Sequence, residues 1–115
     1  MKEEFKLYYK DIFIGTVMTT DEDFPNTSGK IEFDSNFLDN KNRKELFDFI
    51  DYSIESTDKV IGDQREYEEF INNEEFKYQS IIDSLEWRLI SKDGVVTKIL
   101  VPVFFRDNEI NFRFQ

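Results

Sequence analysis

Cysteine and histidine are both missing from the 115 residues of this chain. Without Cys there is no disulfide, no thiolate nucleophile and no Cys-ligated zinc or iron–sulfur centre. Without His the chain lacks the usual general base near neutral pH and the commonest metal ligand. Ser-His-Asp and Cys-His arrangements are therefore impossible. An enzyme made from these residues would have to use carboxylates, Lys, Tyr or Arg. Glycine is scarce too, with four in all. The "SGK" at 28–30 lacks the rest of a phosphate-binding loop, and no Gly-rich turn joins a strand to a helix as in a nucleotide fold. No apolar run is long enough to span a bilayer, and "MKEEFKLYYK" is too charged for a signal peptide. The expectation is one cytoplasmic domain over residues 1–115, with no cofactor, no metal and no membrane partner.

Aromatic residues, by contrast, are plentiful: thirteen Phe, five Tyr and one Trp. They supply a core large enough for a chain of this length. Charged residues make up 35% of the chain, and the net charge is −10. Residues 1–38 carry −4, residues 39–83 carry −7 and residues 84–115 carry +1. An acidic middle disfavours nucleic acid, which needs a basic footprint, and anionic membranes. It suits a basic protein partner, or simply solubility.

Apolar and polar residues alternate at both ends of the chain. Phe5, Leu7 and Tyr9, then Ile12 and Ile14, predict a hairpin over roughly 4–9 and 12–19, turning at Lys10-Asp11. "DEDFPNTSG" is expected to be loop, and "KIEFD" a short third strand with Ile31 and Phe33 inward. At the other end Leu85, Trp87 and Leu89 alternate with Glu86, Arg88 and Ile90. "KDG" fits a hairpin loop with Gly94 left-handed, and "VVTKILVPVFF" its long partner strand, at an edge or bulged at Pro102. After "RDNE" turns the chain, Ile110, Phe112 and Phe114 close a meander. Trp87 is expected in the core, the alternative being a ligand pocket.

The middle has helical period. From about Asn42 to Glu55, Leu46, Phe47, Phe49, Ile50 and Ile54 fall within about 160° of arc. Asn42 and Glu45 form a capping-box-like start, and "STDKVIGD" should end the helix. Asp63 and Glu66 repeat the start signal for a shorter helix, 64–73, burying Tyr67, Phe70 and Ile71. Residues 76–83 fit helix or strand. The fold class expected is α+β: an antiparallel sheet from an N-terminal hairpin and a C-terminal meander, with one or two helices packed on one face.

Glu45, Asp48, Asp51 and Glu55 line the polar side of the first helix. An amphipathic helix needs a polar side, yet these neighbours repel where Lys and Glu would support each other. They are the candidate partner-binding residues, placed to steer a basic partner. Asp21, Glu22, Asp23 and Asn26 lack the spacing of a calcium loop. Glu66, Glu68, Glu69, Glu74 and Glu75 could serve a carboxylate-based hydrolase only across a cleft.

"LYYKDIFIGTVMTT…SGKIEF" resembles the opening of small bacterial domains, and "IIDSLEWRLISKDGVVTKILVPVFF…INFRF" resembles the C-terminal meanders of short bacterial proteins without assigned activity. Some small acidic proteins of this look are immunity proteins for secreted toxins. The resemblance implies a non-enzymatic protein-binding domain, an inhibitor of a basic toxin, monomeric or homodimeric. A structural or oligomeric scaffold is the alternative, because an aromatic-rich sheet edge can pair with its copy.

Overall fold

The N-terminal alternation folds into β1 (Glu4–Tyr9) and β2 (Ile12–Asp23), antiparallel across a turn where Lys10 has φ 54°. The computed structural model describes residues 3–23, 26–39, 43–60 and 64–114. β3 (Asn26–Phe33) continues the sheet, followed by the short helix α1 (Ser35–Asp39), which the sequence pattern does not announce. Asp34 Oδ2 accepts from the Phe37 N–H at 3.3 Å and holds its start. Then come α2 (Lys44–Val60), α3 (Gln64–Glu74), a tight turn of helix at Glu75–Tyr78 and α4 (Gln79–Ile82). The chain ends in β4 (Trp87–Ser91), β5 (Val96–Lys98), β6 (Val103–Phe105) and β7 (Glu109–Arg113). The fold is α+β, as expected, with α2 packed on the sheet and α3 on α2.

The strand order is β5-β4-β1-β2-β3-β7-β6, antiparallel throughout. The N-terminal strands therefore lie between the C-terminal ones. The expected long strand "VVTKILVPVFF" is broken in two. Its first part, β5, pairs with β4 and its second, β6, with β7. Between them the Ile99 N–H donates to the Trp87 carbonyl at 3.1 Å, and the Leu100 N–H to the Arg113 carbonyl at 2.9 Å. Ile99 also bridges to Phe114. The two ends of the sheet thus meet at this crossing, and the sheet curls into a barrel. Pro102, fully buried beside the crossing, has no N–H to offer a ladder.

Leu7, Ile14, Val17, Leu89, Ile99, Phe104, Ile110 and Phe112 fill the interior. Trp87 is 0% exposed, which settles its place as core. Its ring lies 4.7 Å from Tyr9, 6.1 Å from Phe49 and 6.4 Å from Phe104. Phe49 belongs to α2, so this helix closes the interior that the strands leave open.

Several expectations need correction. "DEDFPNTSG" is largely strand: Asp23 pairs with Asn26, Glu22 with Thr27 and Asp21 with Ser28. β7 pairs on the other side, with Phe112 opposite a buried Thr27. Ladders on both sides outweigh the turn-forming residues. The "STDKV" of the expected stop is helical. The Ser56 and Thr57 hydroxyls donate back to the Ser53 and Ile54 carbonyls at 2.9 and 2.8 Å, and Asp58 receives Arg106. The ambiguous 76–83 stretch is mostly helical, burying Ile81 and exposing Phe76. Leu85 is exposed and outside β4, because the Glu86 N–H donates to Ser84 Oγ and holds a turn there. Tyr67, Phe70 and Ile71 are half-buried. The start signals at Asn42 and Asp63, and the turn at Gly62, lie outside the described residues. Gly94 has φ 82°, the left-handed position foreseen for it.

Candidate functional site

The polar side of α2 faces α3. Between them lies a groove of about 240 Å³ lined by Asp48, Asp51, Tyr52, Glu55, Phe70, Glu74 and Tyr78. Its floor is aromatic. Tyr52 stacks on Phe70 with centroids 5.6 Å apart and meets Tyr78 at 5.0 Å. Tyr78 in turn reaches Phe49 of the core, at 6.0 Å. Tyr52 is four residues after Asp48 and three before Glu55, so helical period stacks all three on one side of α2.

Carboxylates form the walls. Asp51 and Glu55 are exposed and make no ion pair among the described residues. Asp48 takes Lys44 at 2.7 Å, and Glu74 takes Lys77 at 2.7 Å. Burial and the nearby carboxylates both act on the phenols. Burial, followed by the charges of Glu75 and Glu74 among others, pushes Tyr52 up to about 12. Burial, then Asp48 and Glu74, raises Tyr78 as well, with Lys77 and Lys44 opposing in part. Both hydroxyls are therefore protonated hydrogen-bonding groups at neutral pH. Carboxylates above aromatic faces make a receptor for a cation, which gains ion pairing at the wall and cation–π attraction at the floor.

Three of the four predicted partner-binding residues, Asp48, Asp51 and Glu55, share this groove. Glu45 does not. It lines a separate cavity of about 650 Å³ with Lys10, Arg43, Leu46, Ile81, Leu85 and Glu86 among its neighbours. Two cations and two carboxylates leave that cavity without a dominant sign. Asp21 and Asn26 lie on the β2–β3 arm, away from the groove. Glu66, Glu68 and Glu69 are exposed on α3, and only Glu74 of the α3 carboxylates enters the groove. Among the described residues, no group of three or more Asp or Glu is placed to hold a metal ion, and no helix is long and apolar enough to cross a membrane.

The aromatic floor is not announced by the sequence pattern. Tyr52 was visible by its spacing from Asp48 and Glu55. Phe70, Glu74 and Tyr78 carry no such signal, because the docking of α3 on α2 has no local signature. No family model, curated protein or solved structure matches the chain.

Proposed function

We propose that the protein is a non-enzymatic protein-binding domain that takes Lys or Arg side chains of a basic partner into the groove between α2 and α3. The observation that carries this reading is that Asp51 and Glu55, which make no ion pair among the described residues, stand beside the exposed side of the Tyr52–Phe70–Tyr78 floor. A helix side that served solubility alone would need no aromatic floor. The finer form, an immunity-type inhibitor of a basic toxin domain, rests on the resemblance described above together with this charge. Opposite potential speeds the encounter with such a partner and fixes its register.

The test is a titration of the isotope-labelled chain with a blocked peptide of alternating Arg and Gly, followed by amide shifts. Shifts should concentrate at Asp48–Glu55 and Phe70, fade with added salt, and vanish in the Asp51→Asn, Glu55→Gln double variant. Shifts spread evenly over Glu66, Glu68 and Glu69 would show a diffuse acidic surface with no site. The product of an adjacent reading frame, if basic, is the natural partner to try next.

A further inference from the structure

The cavity of about 650 Å³ that Glu45 lines plays no part in the groove. It lies at one end of the barrel, where β1 stops, β2 and β4 begin, and the start of α2 and the segment after α4 come alongside. Small-molecule sites favour such barrel mouths and occupy roughly 300–1,000 Å³. Much of the wall is core. Leu46, Ile81 and Tyr9 are 4%, 3% and 8% exposed, and the Tyr9 ring rests on Trp87 at 4.7 Å. The Trp87 indole N–H donates to the Ile81 carbonyl at 3.5 Å, which ties α4 to the same ring. The apolar part of the cavity is therefore preformed. At its rim Leu85 is 65% exposed, next to the turn that Ser84 Oγ holds. A large apolar side chain thus stands in water beside an apolar wall.

Charges of both signs surround this lining: Lys10 and Glu86 on the strand side, Arg43 and Glu45 on the helix side. None of the four makes an ion pair among the described residues. Elsewhere Lys30, Lys44, Lys77 and Lys92 each meet a carboxylate at 2.7–3.4 Å. Lys10 and Glu86 are backbone neighbours, since the Lys10 N–H donates to the Glu86 carbonyl at 3.1 Å. Yet the Lys10 ammonium lies over the Tyr9 ring, 5.5 Å from its centroid. The Lys10 backbone is left-handed, at φ 54°, which Gly or Asn adopts more readily. The bond to Glu86 and one from the Arg88 guanidinium to the Lys10 carbonyl hold it there. Arg43 and Glu45 are two residues apart at the start of α2, a spacing at which helical side chains do not face each other. Each side of the cavity therefore carries a cation and a carboxylate that do not neutralise each other.

We propose that this cavity binds a zwitterion with an apolar body, a short apolar peptide with both termini free. Its carboxylate pairs with Arg43, its ammonium with Glu45 or Glu86, and its side chains replace water against Leu46, Ile81 and Leu85. Arg43 is half-buried where the other three charges are exposed, and a guanidinium offers a carboxylate two parallel N–H donors. Charge decides the class of ligand. A cation would meet Lys10 and Arg43, and an anion would meet Glu45 and Glu86. An uncharged apolar ligand would draw charged groups out of water and pair none of them. Size decides between peptide and free amino acid. The amino acid holds both charges on one carbon and fills little of the 650 Å³. An extended peptide separates them by about 3.5 Å per residue and reaches both sides. The cavity shares no lining residue with the α2–α3 groove.

The experiment titrates the isotope-labelled full chain with trileucine, its N-acetyl form, its methyl ester, the doubly blocked form and free leucine. Trileucine should shift the amides of Tyr9, Lys10, Leu46, Ile81 and Leu85 and leave Asp51 and Glu55 unmoved. Blocking either terminus should weaken binding by about tenfold or more, as expected for one lost charged hydrogen bond. Arg43→Gln should weaken trileucine by a similar factor and bind the methyl ester as the unaltered chain does. Arg43→Lys, which keeps the charge and loses the fork, should fall between the two. Four results would overturn the proposal. The first is that trileucine at millimolar concentration moves no amide of the cavity, or moves only those of the groove. The second is that the doubly blocked form binds as tightly as trileucine, which is apolar contact without recognition of charge. The third is that Arg43→Gln and Arg43→Lys both discriminate against the ester as the unaltered chain does. The fourth is that free leucine binds as tightly as trileucine, which would make the ligand an amino acid.

Discussion

On one side of α2, Leu46, Phe49, Ile50 and Ser53 are buried against the barrel; on the other, Asp48, Asp51 and Glu55 stand over a groove whose floor is only half-buried. The buried side satisfies everything it touches. Ser53 takes both outward groups of Phe104, and no buried side-chain polar atom among the described residues lacks a partner. The groove side leaves Asp51 and Glu55 without an ion pair among the described residues, and burial, with the charges of Glu75 and Glu74 adding to it, raises the Tyr52 phenol. The two sides differ in what an error costs. An unpaired group inside a core costs a full desolvation penalty, while repulsion at a wet surface costs a few tenths of a kcal/mol per pair. A fold can therefore leave charge uncompensated only where water reaches it, and that is where a partner reaches it too.

The comparison breaks most visibly at Trp87. Trp87→Ala should destabilise by about 3–5 kcal/mol, because a fully buried ring leaves a cavity. Chemical denaturation reads this directly, and an unchanged midpoint would mean that the ring is not packed as described. Next comes Ser53→Ala, which strips the Phe104 N–H of its partner under α2 and leaves the Phe104 carbonyl with Thr57 Oγ1 at 3.4 Å. The expected loss is about 1–3 kcal/mol. If melting is unaltered, the β6 edge does not depend on this hydroxyl.

On the groove side the effects are smaller and depend on pH. The Tyr52 phenol is raised from 10.0 to about 12 in the fold. The folded state thus holds this proton more tightly than the unfolded chain. Its contribution to stability is complete below pH 10 and is lost as pH rises through about 12. Phenolate absorbance should show Tyr52 among the last tyrosines to ionise. Tyr52→Phe should flatten the loss of stability across that window, and an equally steep loss in the variant would locate its source elsewhere.

The smallest effect on stability and the sharpest on function belong to charge reversal. Replacing Asp48, Asp51 and Glu55 with Lys should change stability by no more than about 0.5 kcal/mol per site. Association with a basic partner should slow, and its salt dependence should shrink or reverse. Glu45→Lys is the internal control, since Glu45 lies in the other cavity. Equal loss from Glu45→Lys would dissolve the distinction between groove and general acidity.

How much of this was legible beforehand differs by element. The β1–β2 hairpin, the Gly94 turn and the apolar side of α2 follow from period and turn chemistry, which act over a few residues. The end of α2 lies beyond the expected one, because Ser56, Thr57 and Asp58 look like a stop signal yet are helical. Their hydroxyls bond within the helix, and Asp58 meets Arg106 from a distant turn. The strand at Asn26–Phe33 was shortened in the same way, since its first residues are held by β7, about eighty positions along the chain.

By itself the sequence determined an acidic, aromatic-rich α+β chain without Cys or His, and the side of α2 on which carboxylates gather. Composition and helical period suffice for those, since both are properties of neighbouring residues. Only the tertiary structure decided that the strand at Val96–Phe105 splits between β4 and β7, curling the sheet at Ile99. It alone set α3 against α2, supplying Phe70, Glu74 and Tyr78 to the groove while leaving Glu45 outside. Those outcomes depend on contacts between segments far apart in the chain. Such contacts are selected by the free energy of closing the whole core, which no local stretch encodes.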